Sequence, residues 1–114
     1  MANKNNLIMG ITNLLVLAIL ENGDSYVYEI TKTIAAASNE LLSISQNTIY
    51  TVTYKLEEDH LISEYSKLVG KKRTRVYYHI EQKGRDYLDK LLSDYENMIN
   101  GVQNIFDALK NGGE

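Results

Sequence analysis

Apolar residues recur at the spacing of an α-helix over most of this 114-residue chain, and they alternate at the spacing of a strand only in one late segment. The first predicted helix runs from about Asn6 to Asn22 and ends at Gly23, a residue type that tolerates the backbone of a helix C-terminus. Its segment from Leu14 to Leu20 is apolar on all sides. One neighbouring element therefore cannot cover this helix.

A second helix is predicted to begin at a cap formed by Asp24 or Ser25 and to end near Ser38. Its apolar face consists of Val27, Ile30 and Ile34. After a short connection, Ser45 is a favourable N-cap for a third helix that reaches about Asp59.

The third helix has two contrasting faces when its residues are placed 100° apart. The apolar face consists of Ile49, Val52, Thr53 and Leu56. The opposite face is polar and aromatic, with Asn47, Thr51, Tyr54 and Glu58 flanked by Tyr50 and Lys55. The apolar face is expected to pack in the core and the polar face to be exposed.

Two segments have the composition of β-strands, Leu61 to Leu68 and Thr74 to Ile80, and Val69 to Arg73 is predicted to join them as a hairpin. A last helix is predicted from Glu81 or Gln82 to Lys110. Its apolar positions form a long stripe of Leu88, Leu91, Leu92, Tyr95, Met98, Ile99, Val102, Ile105, Phe106 and Leu109.

This stripe is too long for the rest of a small domain to bury, which favours a homodimer over a helix packed only inside its own chain. In that dimer the last helix lies on the partner's first helix. The interface is predicted to contain Leu14, Leu88, Leu91, Leu92, Tyr95, Ile99, Val102 and Phe106.

The order helix, helix, helix, hairpin, helix is typical of a winged helix-turn-helix. The predicted fold class is therefore mainly α with a small β-hairpin, with a DNA-binding domain over residues 1–80 and a C-terminal dimerisation helix over 81–110. In such folds the third helix enters the major groove of DNA, and the hairpin, or wing, contacts the neighbouring backbone or minor groove.

Charge is concentrated in the hairpin. The chain has a formal net charge of −3, yet the segment from Lys67 to Arg75 carries five positive charges and no negative one. A localised basic loop favours a polyanion such as the phosphate backbone, whereas a solvated hairpin with no partner is the alternative. The predicted DNA-contacting residues are Asn47, Thr48, Tyr50, Thr51, Tyr54, Lys55, Lys71, Lys72, Arg73 and Arg75.

Other function classes have little support in the sequence. The chain has no cysteine and only two histidines, His60 and His79, so we expect no metal site, no cofactor and no catalytic residues. No glycine-rich phosphate loop or nucleophile motif indicates an enzyme. The longest apolar run is too short to span a bilayer, and no secretion signal opens the chain, so a cytoplasmic protein without membrane contact is expected.

Two motifs resemble the PadR family of transcriptional regulators. The residues Asn47 to Tyr50, followed by Leu56 to Ile62, are similar to the family signature around the third helix. The residues Arg75 to Ile80, with Gly84, are similar to its pattern near the wing. The segment from Asn22 to Tyr28 further resembles a short subgroup typified by a lactococcal multidrug-binding repressor.

This resemblance implies a homodimeric repressor that binds double-stranded DNA at an inverted-repeat operator. It also implies a small aromatic ligand at the dimer interface, beside Tyr95, with Asn13, Leu92 and Ile99 as neighbours; the alternative for Tyr95 is an ordinary interface side chain. His60 stands where the family usually has a glycine with a left-handed backbone. A winged helix that binds another protein instead of DNA is the alternative function.

Overall fold

The computed structural model describes residues 11–111, and the predicted fold and element order are confirmed. The elements are α1 (Thr12–Asn22), α2 (Val27–Ala37), α3 (Gln46–Glu58), β1 (Ile62–Val69), β2 (Arg73–Ile80) and α4 (Gln82–Asn111). The part of the first predicted helix between residues 6 and 10 lies outside the described residues. Each of the other predicted boundaries agrees with the structure to within two residues.

Helix α1 lies at the centre of the core. It contacts α2, α3, β2 and α4 of its own chain, and Val16, Leu17 and Leu20 are almost completely buried. Several elements of the same chain therefore cover most of the apolar surface of α1, so the predicted contact with a partner's last helix is reduced to the remainder of that surface. Only a strip containing Leu15, Ala18 and Ile19 is left partly open.

The start of α2 differs from the prediction. Its N-cap is Tyr26, and no side chain caps the first turn. Asp24 instead contacts the hairpin, and the Ser25 hydroxyl donates a hydrogen bond of 2.7 Å to the Glu29 carboxylate. These two residues have the composition of a helix cap, but the Asp24 side chain is used in long-range contacts with the hairpin and the Ser25 hydroxyl in a local bond to α2.

Both ends of α3 have the expected local chemistry. The Ser45 hydroxyl accepts a hydrogen bond of 3.1 Å from the Thr48 N–H, which confirms the predicted cap. At the other end, the N–H groups of His60 and Leu61 donate to the carbonyls of Glu57 and Leu56, in the pattern of a Schellman motif. His60 has φ of 64°, so the left-handed backbone expected at this position is confirmed.

The two strands pair antiparallel, from Ile62 with Ile80 to Val69 with Arg73. Tyr78 also exchanges two backbone hydrogen bonds with Ser25, of 2.8 and 3.3 Å, so the base of the hairpin is tied to the turn before α2. Gly70 adopts φ of 72° in the hairpin turn, a conformation that favours glycine. Side chains of one sheet face, including Ile62, Tyr78 and Ile80, enter the core.

Helix α4 has 30 residues, about 45 Å at 1.5 Å per residue, and only its beginning packs on the core. Gly84 is buried there so closely that an added Cβ would overlap the Leu61 carbonyl oxygen. Leu88 is only 5% exposed and Leu14 only 8%, so these two predicted interface residues belong to the core of their own chain. The later part of the stripe is exposed at Leu92, Tyr95, Met98, Ile99, Val102, Ile105, Phe106 and Leu109.

Because His60 is an exposed non-glycine residue in a left-handed conformation, its replacement by glycine is expected to stabilise the fold. His60→Gly removes the clash between Cβ and the backbone and should raise the free energy of unfolding by about 1 kcal/mol, measured by urea denaturation. His60→Ala is the control, because it removes the imidazole but keeps Cβ. Equal denaturation midpoints for the glycine and alanine variants would contradict this explanation.

Candidate nucleic-acid interface

The exposed face of α3 carries the polar residues that the sequence pattern placed there. Asn47, Thr51 and Lys55 are exposed, and the Tyr50 and Tyr54 side chains are 54% and 68% exposed. The opposite face packs in the core through Ile49, Thr53 and Leu56. Helix α3 therefore presents a polar and aromatic surface on a rigid support.

Two threonines of this surface already use their hydroxyl groups locally. Thr48 accepts a hydrogen bond of 3.0 Å from the Ser45 hydroxyl, and Thr51 donates one of 3.1 Å to the Asn47 carbonyl. These bonds fix the threonine rotamers and turn each side chain into a positioned methyl group with remaining acceptor capacity. The exposed Asn47 side chain keeps both an amide donor and a carbonyl acceptor for recognition.

The basic residues of the hairpin fall into two groups. Lys71, Lys72 and Arg73 are exposed at the tip. Arg75 is half-buried, with its guanidinium carbon 4.0 Å from the centre of the Tyr26 ring. The exposed side chains at the tip can change rotamer to meet a phosphate, whereas Arg75 is held in place by its cation–π contact.

A cavity of about 550 Å³ joins the hairpin to the N-terminal ends of α2 and α3. Its lining includes Tyr26, Tyr28, Gln46, Tyr50, Arg73 and Arg75. Both helix N-termini carry unpaired N–H groups and partial positive charge, which suit an anion. The predicted site residues did not include Tyr26, Tyr28 and Gln46. Their positions next to the predicted helix starts could have indicated them.

An acidic pair is a second feature that the sequence pattern did not indicate. Glu57 on α3 and Glu64 on β1 line a smaller cavity of about 460 Å³ with Tyr50, Tyr54 and Tyr78. Burial raises the pKa of Glu57, and the adjacent Glu64 carboxylate raises it further. The proximity of Glu64 therefore disfavours the ionised form of Glu57, close to the exposed face of α3.

The four residues that the family resemblance assigns to a ligand are all at the surface. Asn13 is exposed on α1, and Leu92, Tyr95 and Ile99 are exposed on α4. Within residues 11–111, no three or more His, Cys, Asp or Glu residues converge in a way that could hold a metal ion. Nor does that part of the chain contain a helix with the length and hydropathy needed to cross a membrane.

The fold and this surface define a winged helix-turn-helix protein with a basic wing. The model of the transcriptional regulator PadR-like family matches residues 16–90, which is more than half of the chain. The chain therefore belongs to the PadR-like family of transcriptional regulators.

Several known proteins are similar to the chain in sequence or in structure. A transcriptional regulator from Clostridium thermocellum has a TM-score of 0.82 and 29% identity, covering 88% of this chain and 97% of its own. PadR of Bacillus subtilis, solved in complex with operator DNA, shares the fold with a TM-score of 0.68 and 23% identity, over 74% of this chain and 48% of its own. An uncharacterised protein of Lysinibacillus sphaericus is 29% identical over 97% of this chain and 98% of its own length.

The acidic pair predicts a pH-dependent gain in stability when one charge is removed. The pKa of Glu57 is raised in the folded chain. Its favourable contribution to the stability of the fold is therefore fully present below the pKa of the unfolded chain, about 4.3, and is lost as the pH rises through the pKa of the folded chain. Glu64→Gln should therefore raise the thermal unfolding midpoint by about 1–3 °C at pH 7, and by less at pH 4.

Glu96→Gln is the matched control, because it makes the same charge change on the exposed face of α4. Circular dichroism at both pH values and constant ionic strength measures the effect. A gain for Glu64→Gln that is as large at pH 4 as at pH 7 would show that charge repulsion is not its cause.

Proposed function

We propose that the chain is a homodimeric transcriptional repressor that binds an inverted-repeat operator in double-stranded DNA. The observation that supports this most strongly is that the exposed face of α3 and the basic wing border the same cavity, together with two helix N-termini. Helix α3 enters the major groove, and the wing contacts the adjacent phosphates. Since two copies carry two such surfaces, each reads one half-site.

Base contacts are assigned to the N-terminal half of α3. The Asn47 amide pairs with an adenine edge, and the Thr48 and Thr51 methyl groups pack against thymine methyl groups. Tyr50 and Tyr54 donate their exposed hydroxyls to phosphate oxygens, and Lys55 adds charge there. Lys55 also lies 3.7 Å from Asp59, and this exposed ion pair is weak enough to be exchanged for a phosphate.

Phosphate contacts are assigned mainly to Lys71, Lys72, Arg73 and Arg75. The formal net charge of the whole chain is −3, so the attraction to DNA is confined to this region. The protein is therefore not expected to coat nucleic acid indiscriminately. Such contacts fix the register of the protein on the duplex, whereas the residues of α3 supply sequence preference.

Two apolar surfaces support the proposed dimer. Within residues 11–111, the stripe on α4 is exposed from Leu92 onward. A cavity of about 560 Å³ between α1 and α2 has a lining that includes Leu15, Ala18 and Ile19 of α1 and Thr33, Ile34 and Ala37 of α2. Helix α4 of a second copy has the length and apolar surface to fill this cavity, which completes the burial of α1.

Release from DNA is the finer part of the proposal. A small aromatic ligand between the two copies of α4 would stack on Tyr95 beside Asn13, Leu92 and Ile99, all of which are exposed in the single chain. Such a ligand releases DNA only if it binds more tightly to a dimer whose α3 helices have the wrong spacing. The regulator would act in the cytoplasm, on the promoter of its own gene or of a neighbouring one.

Removing the charges at the tip of the wing is expected to weaken DNA binding without changing its sequence preference. The triple variant is Lys71→Ala, Lys72→Ala and Arg73→Ala. The slope of log K against log salt concentration should become less negative by about 2–3, if each side chain contacts one phosphate. Fluorescence anisotropy with a fragment of the chain's own promoter region, measured at several salt concentrations, tests this.

The matched control replaces Lys83, Lys90 and Lys110 by alanine, which removes the same charge from α4. Asn47→Ala provides the opposite contrast, because loss of a base contact should cost about 1–3 kcal/mol on the operator and leave the salt slope unchanged. If the two triple variants bind equally well, the wing does not contact DNA.

The dimer prediction is tested on the exposed part of α4. Ile99→Glu would place a charge in the proposed interface, and we expect the variant to sediment as a single chain at micromolar concentration while wild type sediments at twice that mass. Asn100→Glu introduces the same charge at the next, exposed position and should remain dimeric. A wild-type protein that sediments as a single folded chain would rule out the proposed assembly.

A further inference from the structure

The turn between α1 and α2 is joined to both strands of the wing by a single carboxylate. The Tyr65 hydroxyl of β1 donates a hydrogen bond of 2.7 Å to Asp24 Oδ2. Nδ1 of His79 on β2 lies 2.8 Å from Asp24 Oδ1. Asp24 thus contacts residues 41 and 55 positions away in the chain, and no motif in the sequence indicated either contact.

The same residues support two of the basic side chains. The Tyr65 ring stacks on Tyr77 with a centroid distance of 5.7 Å, and the Lys67 ammonium lies 5.3 Å from the centre of the Tyr77 ring. Tyr77 also meets the edge of the Tyr26 ring at 5.3 Å, and Arg75 lies over Tyr26. A continuous row of contacts therefore connects Asp24 to Lys67 and Arg75.

We propose that Asp24 is a positioning residue for DNA binding, which holds the base of the wing against the α1–α2 turn and so sets where the wing cations meet the duplex. This inference rests on the proposed function, because it presupposes that the wing contacts DNA. Asp24 itself contacts no DNA in this arrangement; it acts through Tyr65 and His79.

Leverage explains why a contact at the base matters at the tip. From Tyr65 to Gly70 the strand extends about 17 Å at roughly 3.3 Å per residue. A change of about 10° at the base therefore moves the tip by about 3 Å, which exceeds the tolerance of a hydrogen bond to phosphate. Beyond this base, Leu68 and the tip cations are exposed, and a two-stranded hairpin alone is a marginal structure.

The charge state of the carboxylate suits this role. Burial acts to raise the pKa of Asp24, but the hydrogen bonds from Tyr65 and His79 outweigh it, so the pKa lies below its ordinary value. The bond to Asp24 in turn raises the pKa of the Tyr65 phenol above its ordinary value.

The first test removes one hydroxyl without changing the charge. Tyr65→Phe keeps the stacked ring but loses the bond to Asp24, whereas Tyr77→Phe removes the hydroxyl of the neighbouring ring as a matched control. We expect Tyr65→Phe to bind the promoter fragment about 3- to 10-fold more weakly than Tyr77→Phe and to show a shallower salt slope. Equal affinities and slopes for the two variants, with wild-type binding intact, would overturn the inference.

Asp24→Asn tests the carboxylate directly. Removal of a negative charge by itself favours DNA binding, so a loss of affinity would oppose the simple electrostatic expectation. Asp89→Asn, on the exposed surface of α4, makes the same charge change and should bind at least as tightly as wild type. If Asp24→Asn binds as tightly as Asp89→Asn, Asp24 has no positioning role.

A double-mutant cycle separates positioning from a general effect on folding. Tyr65→Phe is combined with the alanine variant of Lys71, Lys72 and Arg73, and thermal unfolding of every variant is recorded. If Asp24 acts through the wing, Tyr65→Phe should weaken binding much less once the tip cations are absent. An equal fold-change in DNA affinity in both backgrounds would assign the effect to folding and contradict the proposal. Failure of the proposed function is distinct, because wild type then does not bind or does not depend on the wing.

Discussion

The burial of α1 beneath the other elements is the interaction on which the rest of this structure depends. Helices α2, α3 and α4 and strand β2 all contact it, so the orientation of each is set relative to one central apolar rod. Val16, Leu17, Ile30 and Ile49 are completely buried in this core. Because a close-packed core leaves little freedom, α3 can carry a polar and aromatic outer face and still keep a fixed direction.

The proposed DNA-binding surface consists of a rigid helix, α3, and a hairpin whose charged tip is less constrained. Helix α3 has its start fixed by the Ser45 cap and its end by the Schellman motif at His60, whereas the tip of the hairpin extends beyond the core. In the proposed complex, side chains of α3 read base edges, while the wing cations contact phosphates and fix the register of the protein on the duplex. Glu57 of α3 and Glu64 of β1 add negative charge next to this surface.

The proposed dimer and the proposed role of Asp24 meet at the same short turn. Asp24 and Ser25 line the cavity between α1 and α2, and the same two residues contact Tyr65, Tyr78 and His79 of the hairpin. The surface available to a second copy and the base of the wing thus share these two residues. A change on one side of this turn has a direct physical route to the other.

The sequence by itself determined the order of elements, the polar and apolar faces of α3 and the Ser45 cap. These features depend on residues close together in the chain, where helical and strand periods and cap chemistry decide the result. Tertiary structure alone decided that Leu14 and Leu88 are core residues, that Asp24 contacts the wing, and that Glu57 meets Glu64. Each of those outcomes depends on which distant residues come together, and a stripe or a cap composition does not carry that information.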